Sequence, residues 1–193
     1  MKFLNKIIRF FFNVINAFFP KSDPMKDRVQ RTIMCRDCDY IQKVEGAGQV
    51  FEGTSTPYQL MHNGIKVELG GYHGVWMQNI ISSLNGHHEP QEEKVFHEVL
   101  KYLDASSELV MMELGSYWSY YSLWFKQNFP KGTNYMIEPI KEKFELGKRN
   151  FNLNKAEGHF INACIGSSFK EKHTFTDWNG DLLNIPQYSV DSI

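Results

Sequence analysis

"MMELGSYWSYYSLWF", residues 111–125, decides how the rest of the chain is read. An apolar run closes on Glu113, Leu114 and Gly115, as a strand does when it enters a ligand loop. The spacing predicts a buried strand over 109–113 and a helix over 117–128. Loops that cradle a pyrophosphate carry two or three glycines, because the backbone must come close to the phosphates. Here Ser116, Tyr117, Trp118 and Ser119 follow the single Gly115.

The pattern repeats downstream. "NYMIE", residues 134–138, reads as a second strand, 140–152 as a helix, and "HFINACI", 159–165, as a third strand. Strand, helix, strand, helix, strand implies right-handed crossovers and a parallel sheet, hence an α/β domain. A helix over 90–103 precedes the unit. Pro90 sits at its first position, Glu92 and Glu93 lie in its first turn, and Val95, Phe96, Val99, Leu100 and Leu103 recur at helical spacing. Residues 25–86 are punctuated by glycine and read as a small β-rich section with one helix at 75–84. Within it, 58–61 and 65–69 pair naturally across the Asn-Gly turn of "HNG". Residues 87–193 form the Rossmann-like unit, and their tail reads as a hairpin approaching a further element.

The first nineteen residues, "MKFLNKIIRFFFNVINAFF", form a different kind of segment. On a helical wheel Lys2, Asn5, Lys6, Arg9, Asn13 and Asn16 fall within about 100° of arc, with apolar residues elsewhere. Asn13 and Asn16 interrupt the apolar run, so an amphipathic helix over 1–22, lying in a membrane interface, fits better than a bilayer span. The expected location is cytoplasmic, peripheral at the membrane. Lys+Arg 21 against Asp+Glu 22 leaves no basic excess for nucleic acid. Three cysteines without framework spacing point to a reducing compartment.

In an open parallel sheet, ligands bind outside the carboxyl ends of the strands. Gly115 ends the first strand of the unit and Glu138 the second, where an acid can accept both hydroxyls of a ribose. The bulky Tyr117 and Trp118 obstruct a pyrophosphate. A loop with one glycine and polar Ser116 and Ser119 suits the amino-acid end of S-adenosylmethionine. Glu113 is placed to orient its ammonium, and an aromatic face favours its sulfonium. The cofactor expected is therefore S-adenosylmethionine rather than NAD.

"MMELGSYWSYYSLWF", "NYMIEPIKEKFELGKRNFNLN" and "HFINACIGS", with the upstream "GYHGVWMQNI" and "GHHEPQEEKVF", resemble the FkbM-type family of S-adenosylmethionine-dependent methyltransferases. The resemblance runs from about Arg36 to Ile193 and implies a class I methyltransferase fold acting on hydroxyl oxygens of sugars or related metabolites. By position, Glu113, Gly115 and Ser119 fall on the cofactor loop, Glu138 on the ribose acid, and Asn162 and Ala163 near the adenine. Ser119 stands where the family has a second loop glycine. Family members continue past "YSVDSI" into a fourth strand and several more elements. With about three of seven strands, the sheet is expected to be partial and the substrate pocket incomplete.

His87, Glu89 and Gln91 are expected at the pocket rim, and His88 is the candidate base for an acceptor hydroxyl. "CRDC" is a lone CxxC, and no histidines make an HxxxH or HExxH pair, so no metal site is expected. The expected activity is O-methylation of a small-molecule or glycan acceptor. Two other readings stay open: an NAD-dependent oxidoreductase of sugar nucleotides, and a non-catalytic, membrane-associated binding module.

Overall fold

A computed structural model describes residues 23–193. The amphipathic helix expected over 1–22, with its membrane interface, lies outside the described residues. The described residues fall into two units, one ending at Met34 and the other spanning Cys35–Ile193. In the first, helix α1 (Pro24–Ile33) starts where Asp23 accepts a hydrogen bond from the amide of Met25 (3.0 Å), with Pro24 at the first helical position. No described helix is long and apolar enough to cross a membrane.

The second unit is mixed α/β. Strands β1 (Val50–Phe51), β2 (Tyr58–Leu60) and β3 (Lys66–Glu68) form an antiparallel meander. The pairing expected across "HNG" is the one that forms, with Tyr58 opposite Glu68 and Leu60 opposite Lys66. Gly64 supplies the positive φ of that turn (86°). Helix α2 (Val75–Ser83) buries Met77, Ile80 and Ile81. Gln59, buried on β2, donates to Gly48 O, Gln78 O and Ser82 Oγ, so its burial leaves no amide N–H stranded. Helix α3 (Pro90–Lys101) starts at the expected Pro90.

Next come β4 (Val110–Leu114), α4 (Tyr120–Asn128), β5 (Thr133–Ile137), α5 (Lys141–Leu153) and β6 (His159–Ile161). The strands lie in the order β4-β5-β6, all parallel, with each helix making the crossover. Three details depart from the sequence expectation. Helix α4 begins at Tyr120 rather than 117, because Tyr117 (φ 45°) and Ser119 (φ 58°) are left-handed and cannot continue a right-handed helix. Strand β4 is not buried throughout: Val110 is 65% and Leu114 52% exposed, and among the described residues β4 pairs with β5 alone. The run 159–165 breaks at Asn162, where Ala163 N turns back to Ile161 O (3.1 Å). Its second part, β7 (Cys164–Ile165), joins a different sheet, with β8 (Lys170–Thr176) and β9 (Leu182–Tyr188) in the order β7-β9-β8. The expected hairpin is β8–β9, and a 3-10 turn at Val190–Ser192 follows it.

The edge of β3 is closed by a helix rather than a strand. Asn150 on α5 and Asn154 at its C-cap stand one turn apart, where their side-chain oxygens accept from Glu68 N (2.8 Å) and Lys66 N (2.9 Å). Asn154 also donates to Lys66 O (2.7 Å), and Arg149 forks onto the Glu68 carboxylate. Two asparagines thus replace a missing ladder.

The chain passes close to itself at Gly86, whose φ is 91°. Gly86 O accepts from His62 N (3.0 Å), and a Cβ at residue 86 would collide with the backbone of Met61 and His62. Gly86→Ala is therefore expected to destabilise the fold by roughly 2–4 kcal/mol in urea unfolding, since both the backbone conformation and the contact oppose a side chain.

Candidate ligand cleft and buried histidine cluster

The loop after β4 folds across the end of β5. Gly115 N and Ser116 N both donate to Ile137 O (2.8 and 3.0 Å). Gly115 has φ 72°, and a Cβ there would meet no atom within 4 Å, so its backbone faces open space. Glu138, 4% exposed, ties two loops together. One carboxylate oxygen accepts from Tyr117 N (3.0 Å) and the other from Ile140 N (2.8 Å). Burial raises its pKa, against the opposing pull of those two amides and of the Lys143 charge. Asn162 donates from its side-chain amide to Glu138 O (2.8 Å) and Pro139 O (3.0 Å), and Ala163 beside it is fully buried. Gly115, Glu138 and Asn162, far apart in sequence, thus meet at the carboxyl end of the sheet.

The other loop residues are placed differently from expectation. Ser116 and Ser119 are buried and, like Gly115, Glu138 and Ala163, are not among the residues that line the open cleft; of the expected cofactor residues Asn162 lines it. Ser119 N donates to Ser116 O (2.6 Å), closing the turn. Among the described residues the Ser119 hydroxyl has no hydrogen-bond partner, and it faces Gly147 of α5, where a Cβ would collide with it. The left-handed φ at residue 119 is the conformation a glycine adopts most cheaply. Glu113 does not reach out for a ligand ammonium. Its carboxylate accepts from the amide of Ser122 (3.1 Å), the third residue of α4, whose own N-cap Ser119 makes no side-chain bond. Burial pushes the Glu113 carboxyl up to about 7, against the hydrogen bonds from Ser122.

Beside this loop lies a cleft of about 520 Å³, lined among others by Tyr117, Ile140, Lys143, Asn162, Trp178 and Ile185. The Lys143 ammonium lies 4.3 Å from the Tyr117 ring centre and 4.0 Å from that of Trp178, held between two aromatic faces. His73 sits edge-on to both rings. Lys143 and Trp178 escape the sequence reading because neither belongs to the strand–loop pattern. The one hint is Trp178 itself, a 64% exposed tryptophan on the turn between β8 and β9. Gln91, expected at the rim, lies instead on an apolar groove with Val95, Val99 and Tyr121, which shares no lining residue with the cleft.

The histidines expected at the rim are inside the protein. Glu93 is fully buried and accepts from His88 N (2.7 Å) and Glu89 N (3.2 Å), capping its own helix. Its second oxygen lies 2.5 Å from His87 Nδ1 and 3.4 Å from His62 Nδ1. His88 Nδ1 pairs with Glu93 (2.6 Å), and its Nε2 lies 3.3 Å from Glu89. Burial opposes charge on His88, but Glu93 and Glu89 outweigh it and raise its pKa to about 9. Burial raises the Glu93 carboxyl, yet His88 and His87 bring it well below the usual range. His62 is driven down to about 3 by burial, with His87 adding to the effect, so it is neutral. A buried imidazolium between two acids cannot take a proton from an acceptor at neutral pH, so the base role expected of His88 does not fit. His87 is buried likewise, and only the half-buried Glu89 reaches outward, where it accepts from Tyr72 OH (3.4 Å).

Cys38 completes this cluster. Its thiol donates to Pro90 O (2.8 Å), and its sulfur lies with donor atoms of His87 and Glu93 inside a 4.8 Å radius of mutual separation. Burial pushes the thiol up to about 12, and the Glu93 charge adds to it. Sequence spacing does not reveal the trio, because Cys38 lies far from His87 along the chain.

No family model and no curated protein matches the chain.

The Glu113 carboxyl gives a pH signature. Its folded pKa, about 7, lies above the ordinary 4.5, so the native state binds more protons than the unfolded chain between those values. Its contribution is fully present below pH 4.5 and is lost as pH rises through 7. Glu113→Gln keeps an acceptor for Ser122 N but cannot ionise. The variant is expected to gain on the native chain by about 3 kcal/mol across that window, measured by urea unfolding at both ends.

Proposed function

We propose that this chain is an S-adenosylmethionine-dependent methyltransferase that acts on a hydroxyl of a sugar or related small-molecule or glycan acceptor, through a partial class I (Rossmann-like) domain. The observation that carries the reading is Glu138. Its carboxylate stands at the carboxyl end of β5, positioned by two backbone amides beside the open backbone of Gly115. Each oxygen accepts one of those bonds, so about half of the roughly four lone-pair sites of a carboxylate stay free for the two hydroxyls of a ribose. The resemblance of the loop and strand motifs to the FkbM-type family supports the same assignment.

In this reading Glu138 binds the ribose, and Asn162 and Ala163 border the adenine. Tyr117 and Trp178 offer aromatic faces to a sulfonium, in the place where they now hold the Lys143 ammonium. Bound S-adenosylmethionine supplies an activated methyl group for displacement by the acceptor oxygen. The protein's share is alignment and exclusion of water, which needs no dedicated base. The loop disfavours a dinucleotide for a specific reason. The amide of Ser122, in the first turn of α4, already bonds the Glu113 carboxylate, so a pyrophosphate there would meet an acid.

Calorimetry of the full chain tests the reading. S-adenosylhomocysteine is expected to bind, and Glu138→Ala to weaken it by about tenfold or more, some 1.4 kcal/mol. Binding of NADH alone would favour the oxidoreductase reading and overturn this one. No heat with either ligand would leave the non-catalytic binding module.

A further inference from the structure

We infer that Cys38, His87 and Glu93 form a zinc site. The inference is independent of the cofactor cleft and rests on the buried trio alone. Each residue presents one donor atom, all three atoms lie within 4.8 Å of one another, and all three residues are buried. A thiolate, an imidazole and a carboxylate make a mixed S, N, O set that suits zinc, whereas the sulfur argues against calcium or magnesium. Around a tetrahedral zinc, neighbouring donors stand about 3.4–3.6 Å apart, so shifts of roughly 1 Å bring the set to that spacing, parting Glu93 from His87 Nδ1 (now 2.5 Å) and drawing the more distant donors in.

The surroundings are arranged as an outer shell for a metal. The amides of His88 and Glu89 hold one Glu93 oxygen and leave the other turned toward His87 and His62. His87 keeps Nε2 buried without a hydrogen-bond partner among the described residues, so this ring has a nitrogen they do not satisfy. His62, stacked on His87 with ring centres 4.0 Å apart, stands by as a fourth donor. Its Nδ1 now meets Tyr120 OH at 3.0 Å.

On binding, which needs a transient opening of the cluster, the Cys38 thiol releases its proton and its sulfur exchanges the Pro90 carbonyl for the metal. Thiolate and carboxylate together neutralise the dication, and Glu89 remains as counter-ion to His88, with no oxidation or reduction. Solvent does not reach the trio, so the ion acts as a structural pin. It joins the loop carrying Cys38 to the start of α3.

Cobalt(II) replaces zinc as the spectroscopic probe on the full chain. The expected result is uptake of about one ion per molecule, with a thiolate-to-cobalt charge-transfer band and the strong visible bands of a tetrahedral ion. Zinc displaces the cobalt, bleaches these bands and raises the melting temperature. Cys38→Ser abolishes the thiolate band, whereas Cys35→Ser and Cys164→Ser retain it. These are the other two cysteines of the described chain, so they identify the ligand by elimination even where the Cys38 variant folds poorly. A full chain without the thiolate band overturns the inference. So does a band that survives in Cys38→Ser or disappears in Cys35→Ser.

Discussion

The constraint on which the rest of the domain depends is the burial of the Glu93 carboxylate. Moving an ionised acid out of water costs several kcal/mol, so the surrounding atoms must supply equivalent interactions. Two amides, the His87 ring and the His88 ion pair do so. In doing so they fix the entry of α3 and turn three histidines inward. His88 is then packed edge-on by Tyr72, Trp118 and Tyr120. Tyr72 stacks flat on Trp118 (4.2 Å) and meets Tyr117 at 4.9 Å. The aromatic residues of the loop after β4 therefore rest on a shell whose centre is an ion pair.

Acids elsewhere in the domain are also directed at backbone amides. Glu113 caps α4 from the strand before it, and Glu138 bridges the loops after β4 and β5. These bonds explain how a loop poor in glycine keeps a glycine-like path. Left-handed backbone at Tyr117 and Ser119 costs about 1–2 kcal/mol per residue. Glu138 offsets part of that through Tyr117 N, and the Ser119-to-Ser116 turn offsets more. The result is a loop closed by its own hydrogen bonds, whose open element is Gly115.

How much of this was legible in the sequence follows the range of each signal. Period and punctuation are local, so the helix at Pro90, the pairing across Asn63-Gly64, the parallel order of the strands and the final hairpin all appear as expected. The closeness of Gly115 and Glu138 was also readable, because it follows from strand ends, whereas Asn162 was placed by resemblance alone. Side-chain direction was not. Ser116, Ser119, His87 and His88 look like polar loop residues in a string of letters. Only the tertiary packing of α5 and the aromatic shell shows them turned inward. The break at Asn162 was hidden as well, since "HFINACI" is apolar enough for one strand and only an inserted turn divides it between two sheets. Cys38 sits in the lone CxxC and Lys143 in the helix after β5, and neither context announces the distant partners that folding brings to it.

The two asparagines on α5 carry a consequence for the order in which the protein is made. Their bonds to Glu68 and Lys66 span 82 and 88 residues of chain. During synthesis the β1–β2–β3 meander emerges with one edge bare, and that edge stays bare until α5 has left the ribosome and folded. Contacts this distant in sequence form late, because a long loop must close before they give any return. In the interval the nascent chain exposes unpaired β3 amides, a template for mispairing with a second chain. The finished helix therefore acts as the last stitch of an element made much earlier.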